Sequence, residues 1–263
     1  MATTVSRPAE TTAARIPAGV PSLRAGQGTS FLLRRLHSLS GIVPVGAFLV
    51  EHFISNAFAT NGPKAYADQV KFLTGLPFAT WLEIFGIYIP ILYHGLYGLY
   101  IWWRGETNVS DYKYAANWLY VVQRWTGIIA FAYIVWHVIE MRFTGTHLFG
   151  AAGAAFGKVQ DEFAEGALTQ LAYAIGIICA SWHFAYGIFL FCAKWGIVTG
   201  ERARKRLQGV SVAIAALFIV IGLYTMWAFT SYPVRVPSDA DHAKAVANGD
   251  YEKPQQHSEP VTK

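Results

Sequence analysis

Residues 84–103, IFGIYIPILYHGLYGLYIWW, form a run with no formal charge, and one histidine, His94, lies near its middle. About 20 apolar residues suffice to cross a bilayer as a helix. An imidazole held at that depth is costly without a partner, so it marks a functional site unless a neighbouring helix simply bonds it. For one histidine the two readings weigh equally. The recurrence of the pattern in three other segments tips the balance towards function.

The chain of 263 residues is 54% hydrophobic and 14% charged, with a mean hydropathy of +0.31. Soluble domains carry about 25% charged residues, so this length describes a membrane bundle rather than one or two soluble domains. The isoelectric point near 9.1 does not imply a nucleic-acid partner, because Lys and Arg lie at the ends of apolar segments, where they act as topology signals. Cys179 and Cys192 fall in one apolar segment, about 19 Å apart along a helix, too far for a disulfide. No C-x-x-C-H attachment motif is present. The stretch MATTVSRPAETTAARIPAGV lacks the basic and apolar regions of a signal peptide.

Three regions are expected. Residues 1–30 form a cytoplasmic arm rich in Ala, Thr, Pro and Gly with its last part docked; residues 31–232 form a membrane domain; residues 233–263 form a polar, disordered tail. Five apolar segments, 31–58, 79–103, 118–141, 168–193 and 209–231, suit spanning helices. Pro44 and Pro90 inside the first two are expected to kink them. Arg7, Arg15, Arg24, Arg34 and Arg35, then Arg104, Lys113 and Arg124, then Lys194, Arg202, Arg204, Lys205 and Arg206 all fall on one side of such a bundle. The opposite loops hold Lys64, Lys71, Arg142 and Lys158. The positive-inside rule therefore puts the N-terminus in the cytoplasm and the C-terminus outside. Trp102, Trp103, Trp118 and Trp195 border the inner side, as an interfacial belt does.

The first four segments each carry one histidine within the apolar region: His52, His94, His137 and His183. Measured from the nearest inner charge at the helical rise, His94 lies about 15 Å deep, His183 about 16 Å, His137 about 20 Å and His52 about 26 Å. The four thus divide into an inner pair, His94 with His183, and an outer pair, His52 with His137. Two imidazoles facing each other at one depth hold a haem iron from both sides, a recurring use of bundle cores. Gly98 and Gly187 follow His94 and His183 by four residues, and Gly41 shares a face with His52. These glycines are expected to leave room for a flat porphyrin, although glycines alone serve equally for helix packing. Zinc fits poorly, since there are no short clustered ligand pairs and no cysteine partner. A proton relay would string histidines along a path instead of grouping them in two levels.

The segments RRLHSLSGIVPVGAFLVEH (34–52), LEIFGIYIPILYHGLYGLY (82–100), QRWTGIIAFAYIVWH (123–137) and WHFAYGIFLFCAKWG (182–196) resemble the five-helix, di-haem cytochrome b membrane anchors of succinate:quinone oxidoreductases, which include succinate dehydrogenases and fumarate reductases. The likeness covers roughly residues 30–232 in order and spacing. It implies an all-α integral membrane bundle of five transmembrane helices with haem between the first four. It implies two haem b groups, with His52, His94, His137 and His183 as the iron ligands. His37, Ser38, Tyr120 and Lys194, with Arg35, match the region where haem propionates emerge near the inner interface. Partners follow too: a flavoprotein with FAD and the dicarboxylate site, and an iron–sulfur subunit on the cytoplasmic face, with these cofactors in the partners only.

The expected function is passage of electrons from the iron–sulfur subunit through both haems to quinone, menaquinone above all, in a bacterial cytoplasmic membrane. This chain has no flavin-binding fingerprint, so dicarboxylate chemistry belongs to its partner. Three carboxylates, Glu51, Glu83 and Glu140, lie at outer helix ends. Glu83, eleven residues before His94, shares its inward face about 16 Å further out and is expected to protonate reduced quinone. The alternatives are a cytochrome b subunit of a hydrogenase or formate dehydrogenase, and a histidine-lined transporter.

Overall fold

The computed structural model describes residues 25–107, 109–144 and 154–238, with side-chain surroundings from Ser30 onward. The helices are α1 (Ala25–Ile42), α2 (Pro44–Ala57), α3 (Pro63–Thr74), α4 (Ala79–Trp81), α5 (Ile89–Trp103), α6 (Ala115–Val138), α7 (Ala155–Ala164), α8 (Ala167–Lys194) and α9 (Glu201–Ser231). A 3-10 turn, Phe58–Asn61, extends α2, and π-helical stretches join α4 to α5 (Leu82–Tyr88) and extend α6 (Ile139–Phe143). There is no strand among the described residues. The chain divides into a unit up to Arg35 and a larger one from Leu36 onward.

Among the described residues, five helical stretches are long and apolar enough to span a membrane: Ser30–Asn61, Ala79–Trp103, Ala115–Phe143, Ala167–Lys194 and Glu201–Ser231. The protein is an all-α integral membrane bundle. Its surface carries large apolar side chains: Phe85, Ile89, Leu92 and Leu96 of the second span and Leu217, Val220 and Trp227 of the fifth all point outward, as lipid contact requires.

Pro44 lies within the first span and Pro90 within the second, and neither ends it. Pro44 opens α2 after a one-residue break at Val43, yet the Val43 amide donates to the Leu39 carbonyl at 2.9 Å and the Ala47 amide to the Val43 carbonyl at 3.2 Å, so the first span continues through the break. Pro90 sits in the first turn of α5, directly after the π-helical stretch. Proline has no amide hydrogen to donate, and the wider turn accommodates that missing bond.

Two features depart from expectation. Arg202, Arg204, Lys205 and Arg206 are not in a loop but in the opening turns of α9, where Lys205 pairs with Glu201 at 2.8 Å one turn away. These residues are good helix formers, and a hydropathy pattern cannot register a helix that continues past the membrane into charge. The segment after Pro233 is also ordered over its first residues. Arg235 holds Asp161 at 2.6 Å, the Val236 amide donates to Gln160 at 2.8 Å, and Ser238 donates to Asp161 at 2.5 Å. Gly157 permits this contact, since a Cβ there would strike the Val236 carbonyl. Residues 1–24 and 239–263 lie outside the described residues.

The largest core closes the end of the bundle that carries α3 and α7. Tyr66 of α3, Phe156 and Phe163 of α7, Tyr173 of α8 and Phe229 of α9 pack with ring centroids 4.8 to 6.3 Å apart. Phe156 is wholly buried, and truncating such a ring to alanine costs about 3–5 kcal/mol.

Candidate functional site

The four membrane histidines meet in two pairs. The His94 and His183 ring centroids lie 6.1 Å apart at an interplanar angle of 77°, and those of His52 and His137 lie 5.9 Å apart at 75°. Each of the four comes from a different span. Among the described residues no group of three or more His, Cys, Asp or Glu side chains is arranged to hold a metal.

Local geometry fixes both rings of the first pair in the same manner. His94 donates its Nδ1–H to the His37 carbonyl at 2.9 Å, and His183 donates its Nδ1–H to the Gln123 carbonyl at 3.0 Å. A carbonyl only accepts, so both rings carry the proton on Nδ1 and present the Nε2 lone pair. Four residues after each accepting carbonyl comes a glycine, Gly41 after His37 and Gly127 after Gln123. A Cβ on Gly41 would overlap the His94 ring, and one on Gly127 would approach the His183 Cε1 within 2.6 Å. The missing side chain uncovers the carbonyl one turn back and admits the imidazole against the helix. The expected porphyrin clearance at Gly41 is therefore filled by the His94 ring. Gly98 faces His37, and Gly187 has only Gln123 and Ile42 near it.

His37 stacks on His94 with centroids 4.1 Å apart and planes 8° from parallel, and its own Nδ1 is buried without a hydrogen-bond partner among the described residues. The Trp195 indole donates to Ser38 Oγ at 3.0 Å. Tyr120 accepts from Arg124 at 2.6 Å and is half exposed, and Lys194 ends α8. His37 thus joins the His94–His183 pair directly, through its stacking on His94.

The second pair is fixed differently. The His137 Nδ1 lies 3.2 Å from the Tyr173 hydroxyl, and the ring stacks on Tyr133 with centroids 5.5 Å apart at 19°. Gly176 makes room for Tyr133, whose ring a Cβ there would overlap.

Glu83 is tied to Arg142 of the third span through Nε at 2.7 Å and Nη2 at 3.2 Å, and Tyr88 donates to it at 2.7 Å. Both members of this pair sit in the π-helical stretches. Such turns shift helix phase, so a spacing of eleven residues from His94 no longer sets the facing of Glu83. Its side chain is 15% exposed, with the carboxylate turned towards the third span. Glu51 accepts from Ser55, and Glu140 accepts from Thr144 at 2.8 Å. The sequence reading missed Gln123, Gly127, Arg142 and Tyr173. The Q-x-x-x-G spacing in QRWTG was the available signal for the first two.

A family model, Succinate dehydrogenase/Fumarate reductase transmembrane subunit, matches residues 106–223. The succinate dehydrogenase cytochrome b558 subunit of Bacillus subtilis (strain 168) is 36% identical over 199 residues, covering 76% of this chain and 96% of that one. The chain belongs to the membrane cytochrome b subunits of the succinate dehydrogenase/fumarate reductase family. Membership makes it a multi-pass membrane subunit of a succinate dehydrogenase complex, and the cytochrome b name implies haem.

The residues of this cytochrome b subunit fit that group. An imidazole nitrogen binds a metal at about 2 Å, and the ring centre lies about 1 Å further back, so two rings on one iron stand about 6 Å apart. The observed separations are 5.9 and 6.1 Å. The Nδ1–H bonds of His94 and His183 to carbonyls are the outer partners that metal-bound histidines regularly have.

Proposed function

We propose that this chain carries electrons across the membrane from an iron–sulfur subunit to quinone, with haem b held at two positions. His94 and His183 hold the group nearer the cytoplasm, and His52 and His137 the one nearer the outside. Bound there, haem supplies one-electron carriers that link the two faces. The observation that carries this reading is the meeting of four imidazoles from four spans in two pairs about 6 Å apart.

The remaining roles belong to side chains of this chain. His37 buttresses His94 by stacking and through its carbonyl. His37, Ser38, Tyr120 and Lys194 line the cytoplasmic approach, where propionates are accommodated. Glu83, held by Arg142 and Tyr88, delivers protons to reduced quinone from the outer side. The N-terminus is cytoplasmic and the C-terminus outside, in line with the clustering of Arg and Lys at one end. Residues 1–30, 31–232 and 233–263 serve as arm, cytochrome domain and tail. The partners are a flavoprotein with FAD and an iron–sulfur subunit, and menaquinone is the acceptor.

The test is a reduced-minus-oxidised spectrum of the purified complex with haem quantified, repeated on His94→Ala and His183→Ala. Two haems in the parent and the same one missing in both variants is the expected result. Two haems in either variant, with unchanged spectra, overturns the pairing.

A further inference from the structure

The two histidine pairs differ in what their Nδ1 groups meet. In the inner pair both rings donate to main-chain carbonyls, which are neutral and fixed. In the outer pair His137 meets the Tyr173 hydroxyl at 3.2 Å, and that hydroxyl in turn donates to Glu162 Oε1 at 3.5 Å. Tyr173 is 5% exposed and Glu162 is 8% exposed. Glu162 lies on α7, outside the spanning segments, and closes the bundle over this pair. A ligand ring is thus joined through one phenol to a carboxyl group at the aqueous boundary.

We propose that Tyr173 and Glu162 are positioning residues that orient the His137 ring and couple the reduction of the outer haem to proton uptake at Glu162. This rests on the assignment of His52 and His137 as a haem pair. A phenol that keeps its proton and donates a hydrogen bond to a carboxylate becomes a better acceptor for His137 Nδ1–H. The ring then gains imidazolate character and favours the oxidised iron. Protonating Glu162 weakens that chain and favours the reduced iron. The balance is one electron in from the iron–sulfur partner and at most one proton in from outside water, both leaving on reoxidation. The Nδ1 acceptors of the inner pair are main-chain carbonyls, which do not titrate.

The surroundings of Glu162 suit the role. Burial raises its carboxyl above the usual carboxylate range, and Glu165 and Glu140 push the same way. Lys158 and the Tyr173 hydrogen bond oppose them. Tyr133, stacked on His137, also faces it. Lys158 is engaged by the Met141 and Thr144 carbonyls at 3.0 and 3.1 Å, and Asp161 by Arg235 at 2.6 Å. Among the described residues these are the charged and titratable groups that bear on the carboxyl.

The experiment is a potentiometric titration of both haems in the whole complex across pH, on the parent, Tyr173→Phe and Glu162→Gln. The haem lost in His137→Ala identifies the outer one. In the parent its potential should rise as pH falls, and the inner haem's should not. Both variants should raise the outer potential and flatten its pH slope, with a change in the reduction equilibrium of about tenfold, or 59 mV for one electron. Full haem content with an unchanged outer potential and slope in Glu162→Gln overturns the proposal even if Tyr173→Phe fails to assemble. A His137→Ala complex that keeps both haems overturns the haem assignment itself, and the coupling with it.

Discussion

Gln123 and His183 hold each other in both directions: the Gln123 side-chain amide donates to the His183 carbonyl at 3.0 Å, and the His183 ring donates to the Gln123 carbonyl at 3.0 Å. The first bond ties the third span to the fourth, and the second aims the ring. Only the first involves the Gln123 side chain. Gln123→Leu should therefore cost about 0.6–1.7 kcal/mol, the range of hydrogen bonds between membrane helices, and leave the inner haem bound. Denaturation of the detergent-solubilised complex, followed by haem absorbance, reads both quantities. Loss of haem at unchanged helix stability would show that the side chain, rather than the carbonyl, positions His183.

The glycines sort by what a methyl group would meet. Gly41→Ala and Gly127→Ala drive a Cβ into the His94 and His183 rings. Overpacking of this kind costs about 1–3 kcal/mol, and here it displaces a ligand, so the inner haem should be lost or its spectrum altered. Gly187→Ala is the control: its nearest atoms, on Gln123 and Ile42, lie at 3.7 and 3.9 Å, ordinary contact distances. Haem content per chain distinguishes the three. A Gly187→Ala variant that loses haem while Gly127→Ala keeps it would reverse the assignment.

The spanning helices and the histidine pairing were legible because both follow from straight helical geometry. Apolar length marks each span, and depth counted from the nearest charge groups His94 with His183 and His52 with His137. Features that break regular geometry were not legible. The π-helical turns around Glu83 and Arg142 change helix phase, so the partner of Glu83 does not follow from counting residues. The placement of α7 over Tyr173 is also hidden, because it depends on contacts between segments far apart in sequence, such as Gln160 with Val236. The role of Gly41 was misjudged for a related reason. Spacing puts it on the right face but does not say which ring fills the space.

The exposed cationic turns of α9 make a surface suited to an acidic partner. Arg202, Arg204 and Arg206 are exposed there, and Lys205 is occupied by Glu201. Topology signalling accounts for part of this charge. If the iron–sulfur subunit also docks on it, Arg204→Glu with Arg206→Glu should weaken complex retention by about 0.2–1 kcal/mol per pair lost, and the deficit relative to the parent should shrink as salt screens these charges. Co-purification of the partners over a salt series measures this. Normal insertion with undiminished retention at every salt concentration would remove α9 from the interface.

The Glu83–Arg142 pair sets the last expectation. It bridges the second and third spans at the end where the outer haem is assigned, with Tyr88 as a further donor. Removing one partner of a covered ion pair leaves the other charge uncompensated and is strongly destabilising. Glu83→Gln is the milder change, since its amide oxygen still accepts from Arg142 and Tyr88 while the proton-carrying carboxyl is gone. The variant should assemble with both haems reducible by succinate but turn over quinone more slowly. Electrons crossing from inside to meet protons taken from outside move with an inside-negative potential, which favours the movement by about 2.3 kcal/mol per charge per 100 mV. Collapsing the potential in intact membranes should therefore slow succinate-driven menaquinone reduction in the parent. Activity indifferent to an uncoupler, together with a Glu83→Gln complex of normal turnover, would place quinone reduction at the cytoplasmic side and leave Glu83 and Arg142 as a structural clasp between two spans.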